Sequence, residues 1–136
     1  MSPKKERTFK KSYAAELLRI AAGDVESAEV LMQSQRGRPE NVCYHAEQCV
    51  EKALKALLVH LEKPVPISHD LGTICERVNQ YLPIEVHADL TLYNEFATTR
   101  RYEESDMILE PEDLTAAVDV ARQVLNWVLA TVSKNS

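Results

Sequence analysis

The sequence is poor in glycine and cysteine. Its 136 residues include three of each, and none of the cysteines forms a Cys-x-x-Cys pair. An odd number of isolated thiols argues against a disulfide framework or a zinc site, and such residues are typically reduced, buried and structural. We therefore expect no disulfide, no metal and no cofactor.

Long apolar runs are also absent. No stretch approaches the roughly 18 consecutive apolar residues of a membrane span, and the basic N-terminus is not followed by the apolar segment of a signal peptide. With 45% hydrophobic residues and charges spread along the chain, the composition predicts one soluble, cytoplasmic domain over residues 13–136.

Positive charge is concentrated at the N-terminus. The chain carries a net charge of −5, although its first eleven residues hold five basic residues against one acidic residue. We expect residues 1–12 to form a basic, flexible tail. The acidic remainder argues against nucleic-acid binding over the whole surface, so phosphate would have to meet a local basic pocket or the tail.

Hydrophobic residues recur at steps of three and four, which indicates helices, and no segment has a strand pattern. The predicted helices run from Tyr13 to Gln35, from Asn41 to Glu62, from Ser68 to Tyr81, from Ile84 to Arg101 and from Pro111 onward. Ser12 and Ser68 are suitable N-caps for two of them. Short connections between five helices predict an all-α, up-and-down bundle with a four-helix core.

The second predicted helix has two distinct faces. Its apolar face comprises Val42, Ala46, Cys49, Val50, Ala53, Leu57 and Leu61. Its polar face comprises Asn41, Tyr44, His45, Gln48, Glu51, Lys52 and Lys55. This ordered mixture of donors, acceptors and cations exceeds what solubility requires and indicates a binding surface. Leu54 and Leu58 lie beside the apolar face, so either a two-fold partner or a neighbouring helix of the same chain must cover them.

Four short motifs follow one another along the chain. Residues 44–58 contain Gln-x-x-Glu-Lys-x-Leu-Lys-Ala-Leu, and residues 68–71 read Ser-His-Asp-Leu. Arg101 and Tyr102 close the fourth predicted helix, and Trp127 lies in the last one. In these residues and their order the chain resembles the HEPN domain family, whose name abbreviates higher eukaryotes and prokaryotes nucleotide-binding.

The resemblance implies a helical bundle that is usually a homodimer. Some members of the family are metal-independent ribonucleases with an Arg-x(4–6)-His motif near the start of a late helix. Others are nucleotide-binding or partner-binding modules, and several are encoded beside a minimal nucleotidyltransferase as its toxin or accessory partner. The resemblance thus implies a toxin–antitoxin-like pair as one setting for this chain.

The chain departs from the ribonuclease members in its histidines. No histidine follows His87, so the late-helix motif cannot be built. Arg38 and His45 have the required spacing, but they lie across the first loop and the start of the second predicted helix, where the family does not place its site. We therefore predict no catalytic residue and expect a domain that binds a nucleotide or a nucleic-acid phosphate.

The candidate ligand-binding residues come from separate elements. Arg101 and Lys52 would hold phosphate oxygens, a tyrosine ring would stack on a base, and His69 would donate near a helix N-terminus suited to anions. The full predicted set comprises Tyr44, His45, Gln48, Lys52, His69, Asp70, Arg101 and Tyr102.

A ribonuclease remains a second hypothesis. RNA cleavage without a metal needs a general base or acid and a cation that stabilises the developing negative charge. His45 or His69 would supply the first and Arg101 the second if the fold brought them together.

A purely structural or protein-interaction role is the third hypothesis. Glu51 and Lys55 have the spacing of a surface ion pair, and Asp70 would stabilise the first turn of a helix. His69 would bridge that turn to another helix, and Arg101 would pair with an acid such as Glu51. In that case the polar face only braces the bundle.

Overall fold

The computed structural model describes residues 5–84 and 109–134, and within them the chain is all-α apart from one short ribbon. Its elements are β1 (Glu6–Arg7), α1 (Tyr13–Ser34), α2 (Pro39–His60), β2 (Val65–Pro66), α3 (Leu71–Asn79) and α4 (Pro111–Lys134). The predicted all-α class is confirmed. Residues 85–101 of the predicted fourth helix lie outside the described residues.

Helix α2 forms the centre of the bundle, where it packs against α1, α3 and α4. Fourteen of its 22 residues are buried, which leaves only a narrow polar strip. The predicted apolar face is correct except at Leu61, which is half-buried. Burial extends beyond that face because neighbouring elements cover the helix on several sides.

Leu54 and Leu58 are fully buried within the single chain. The sequence allowed these leucines to be covered either by a two-fold partner or by a neighbouring helix of the same chain. The same chain alone is sufficient to bury both. The homodimer loses this line of support and stays a prediction.

The ends of two helices differ from the sequence-based boundaries. Helix α2 begins at Pro39 rather than Asn41, because proline is well accommodated in a first helical turn that needs no N–H donor. Helix α3 is capped by Asp70 and not by Ser68. Asp70 Oδ2 accepts hydrogen bonds from Thr73 N at 3.0 Å and Thr73 Oγ1 at 2.8 Å.

A two-stranded antiparallel ribbon, which the sequence did not indicate, joins the N-terminus to the segment after α2. Glu6 pairs with Pro66 and Arg7 with Val65, and Ile67 N donates to Lys5 O at 2.8 Å. Strands of two residues are too short to show alternation, so hydrophobic patterning could not reveal them. Residues 6 and 7, expected in a flexible tail, are paired here; mobility of the tail as a whole stays a prediction.

The three cysteines lie in the interior as free thiols. Cys43 and Cys49 are buried and Cys75 is half-buried. Burial raises the pKa of Cys43 and of Cys49 to about 12 and that of Cys75 to about 11. These thiols therefore pack as small apolar side chains and are poor nucleophiles at neutral pH.

Substitution of Leu54 tests the central position of α2. We expect Leu54→Ala to lower the free energy of unfolding by about 2–5 kcal/mol, because a fully buried leucine leaves a cavity. Val30→Ala, at a side chain that is 64% exposed, should change it by less than about 0.5 kcal/mol. Urea denaturation of both variants measures the difference, and equal effects would contradict the assigned packing.

Candidate functional site

The polar strip of α2 meets an acidic residue of α1. Lys52 Nζ donates to Asp24 Oδ2 at 2.8 Å, and His45 Nδ1 lies 3.6 Å from Asp24 Oδ1. Asp24 was not among the predicted site residues, because only the packing of α1 on α2 brings it to Lys52. One carboxylate thus sits beside two of the predicted ligand-binding side chains.

A second carboxylate, that of Glu51, is held from two directions. Glu51 is 3% exposed, and Lys55 Nζ donates to its Oε2 at 3.2 Å. The Nδ1 of His69 lies 2.9 Å from the same oxygen. The predicted pairing with Lys55 and the predicted bridge from His69 to another helix are both present, but the pair is partly buried and not a surface pair.

Glu47 lies one turn before Glu51 and is also buried. Burial, and secondly the charge of Glu51, raise the pKa of Glu47 from 4.5 to about 7, while the charge of His69 opposes this shift. Both effects disfavour the charged form of the Glu47 carboxyl. The Glu47 carboxyl is therefore partly protonated near neutral pH.

An open cavity of about 440 Å³ lies where the N-terminal residues pass over α2 and β2. Three cations border it, Arg7, Lys52 and Lys55, together with the carboxylate of Glu51. The rings of Phe9 and Tyr13 stack beside them with centroids 5.2 Å apart. We call this cavity the basic pocket; its remaining lining residues are Leu17, Val65, Pro66 and Ile67.

The predicted site residues are only partly brought together. Lys52 borders the basic pocket, and His69 contacts Glu51, which also borders it. Asp70 caps α3, as the structural hypothesis requires. Arg101 and Tyr102 lie outside the described residues.

The other three predicted residues do not border the basic pocket. His45 faces a separate hollow of about 480 Å³ against α1, and the exposed Tyr44 ring stands edge-on to His45 with centroids 5.5 Å apart. Gln48 is half-buried and lines neither hollow. The predicted polar face is therefore divided between two hollows.

The pocket residues that the sequence patterns did not reveal are Arg7, Phe9 and Tyr13. They lie in or next to the segment interpreted as a flexible tail, and no motif marks them. The signal that was available is the combination of a cation with two aromatic residues spaced four apart, at positions 9 and 13. Their position over α2 depends on the ribbon, which sequence patterning did not reveal.

Residues 5–84 and 109–134 offer neither a metal centre nor a membrane span. No group of three or more His, Cys, Asp or Glu side chains in these ranges is arranged to hold a metal ion. No helix in them has the length and apolar character needed to cross a membrane.

Comparison with known proteins identifies the family to which this fold belongs. The HEPN domain model matches residues 14–132, so the chain belongs to the HEPN domain family. The match begins immediately after Tyr13 and thus leaves out the N-terminal part of the basic pocket.

Two individual proteins are similar to this chain. "Putative toxin MJ1304" of Methanocaldococcus jannaschii is 43% identical over 51 residues, which is 38% of this chain and 32% of that protein. The aligned region thus spans about a third of that relative. The crystal structure of TT1696 from Thermus thermophilus has a TM-score of 0.60 and 19% identity, and the alignment covers 87% of this chain and 97% of that one. At this identity the likeness concerns the fold alone.

The raised pKa of Glu47 makes a prediction about stability. Between pH 4.5 and about 7 the unfolded state loses the Glu47 proton while the folded state retains it, so this group's contribution to stability falls as the pH rises. We therefore expect the free energy of unfolding of Glu47→Gln to rise relative to that of the wild type between about pH 4 and about pH 8. Comparing the two proteins by urea denaturation removes the contribution of other titrating groups. A pH-independent difference would contradict the raised pKa.

Proposed function

We propose that this HEPN domain binds the phosphate of a nucleotide or nucleic acid in the basic pocket and has no catalytic activity of its own. The observation that supports the proposal is the convergence of Arg7, Lys52 and Lys55 on one open cavity that also presents aromatic rings. Arg7 belongs to the basic N-terminus, but residues 12–136 carry a net negative charge, so the cations that α2 adds are not a general property of that part of the chain.

The three cations differ in what they offer to a phosphate. Arg7 is exposed and presents a planar fork of donors that fits two phosphate oxygens. Lys52 and Lys55 each use one donor on Asp24 or Glu51, and an ammonium group has three. The acids therefore orient the two lysines without exhausting their donors.

The aromatic side supports a ligand that carries a ring. Phe9 and Tyr13 are each 38% exposed, and they stack on each other. A base that stacks on an exposed aromatic face gains about 1–3 kcal/mol in nucleic-acid complexes. Phosphate and base could thus be bound by neighbouring walls of the same pocket.

A protein partner belongs to the same proposal. The relative from Methanocaldococcus jannaschii carries the name of a toxin, which supports a toxin–antitoxin setting for this chain. We propose a minimal nucleotidyltransferase as its partner and a homodimer as its own assembly, as the family resemblance implies.

A structural brace is the competing function, and one observation favours it. Lys52 is paired with Asp24, and Glu51 is paired with Lys55 and His69. Such satisfied pairs are what a brace between α1, α2 and the start of α3 requires. Binding experiments separate the two functions because phosphate binding in the basic pocket requires a ligand, whereas a structural brace does not.

Calorimetric titration with AMP, ATP and inorganic phosphate tests the pocket. We expect Arg7→Ala and Lys52→Ala each to weaken binding of ATP by about tenfold or more, because each removes a charged hydrogen bond worth about 1.5–3 kcal/mol. Arg36→Ala is the matched control, since Arg36 is exposed two residues after the end of α1 and does not border the pocket.

Thermal unfolding of the same variants measures whether a substitution destabilises the fold, which the calorimetric titration does not report. Equal ATP affinity in Arg36→Ala and the wild type, with weakened binding in the two pocket variants, would support the proposal. Absence of binding to the wild type, together with destabilisation by Lys52→Ala alone, would instead support the brace.

A further inference from the structure

The N-terminal strap, defined as residues 5–13, supplies one wall of the basic pocket. It contributes Arg7, Phe9 and Tyr13, although it lies outside the region matched by the HEPN domain model. The other walls belong to α2 and to the segment around β2. A complete pocket therefore requires that the strap remain in place over the domain.

The backbone contacts of the strap are few. Two residue pairs join β1 to β2, and the Ile67 N–H donates to Lys5 O. A two-stranded ribbon of this kind is marginally stable by itself in water. Something else has to hold it against the bundle.

Arg77 of α3 provides a side-chain anchor for the strap. Its Nη1 donates to Glu6 Oε2 at 2.7 Å and to Pro64 O at 3.2 Å. The side chains of Arg77 and Glu6 are 24% and 42% exposed, so water screens this ion pair less than it would a fully exposed pair. Glu6 immediately precedes Arg7, while Arg77 itself does not border the basic pocket.

We propose that Arg77 is a positioning residue that acts through Glu6 to hold the N-terminal strap, and with it Arg7 and Phe9, in the wall of the basic pocket. The strap and the ligand then stabilise each other, because any group that favours the closed strap also favours binding. This inference rests on the proposed function, since it concerns the same pocket.

A double-mutant cycle on ATP affinity tests whether Arg77 acts through Glu6. We expect Arg77→Gln and Glu6→Gln each to weaken ATP binding by about fivefold, and the double variant to weaken it no further. Arg77→Lys, which keeps the charge on a flexible chain, should recover part of the loss. Arg122→Gln is the control, because it breaks a comparable ion pair with Glu29 that joins α1 to α4 away from the pocket.

Limited trypsin digestion reports on the strap directly. Lys10 and Lys11 lie within the strap, so cleavage after them measures its release. We expect faster cleavage there in Arg77→Gln than in the wild type or Arg122→Gln, and slower cleavage in the wild type when ATP is added. Unchanged rates in Arg77→Gln would overturn the anchoring role, whether or not any ligand binds.

The outcomes separate this inference from the proposed function. Full ATP affinity in Arg77→Gln, with weakened affinity in Lys52→Ala, would overturn the inference and leave the pocket standing. Additive losses in the double variant would also overturn it, because they would show that Arg77 acts independently of Glu6. If the wild type binds no ATP, the proposed function fails, and the digestion rates still decide whether Arg77 holds the strap.

Discussion

The burial of α2 on several sides is the constraint on which the rest of the structure depends. It places two carboxylates, Glu47 and Glu51, in the interior of a helical bundle. A buried charge is costly unless it is paired or protonated. Glu51 is paired with Lys55 and His69, whereas the pKa of Glu47 rises toward neutrality. The orientations of Lys55 and His69 follow from this need for partners.

The same burial makes the rim of α2 the place where a ligand can be recognised. Lys52 and Lys55 emerge where the helix is covered less completely, and each is oriented by an acid. A residue restrained in this way loses little side-chain entropy when it binds phosphate. The pairing that would brace the bundle therefore also preorganises a binding site, and the two roles are physically compatible.

Sequence patterns predict much of the fold, but they predict only part of the basic pocket. The steps of three and four in α1, α2 and α4 identify their buried faces, and the motif order identifies the family. Asp70, and not Ser68, caps α3 because its carboxylate accepts a hydrogen bond from Thr73 N. Both residue types are common N-caps, so the sequence did not distinguish them. Asp24 and Arg7 were missed because each is an ordinary charged residue until packing supplies its neighbour.

The sequence by itself determined the helical class, the central apolar helix and membership of the HEPN family, because these depend on local periodicity and on short motifs. Only the tertiary structure decided which polar residues share a cavity. Lys52 contacts Asp24, which lies 28 positions away in the sequence, and Arg77 contacts Glu6, which lies 71 positions away. Contacts at such separations arise from the packing of whole elements, and no local pattern of residues encodes them.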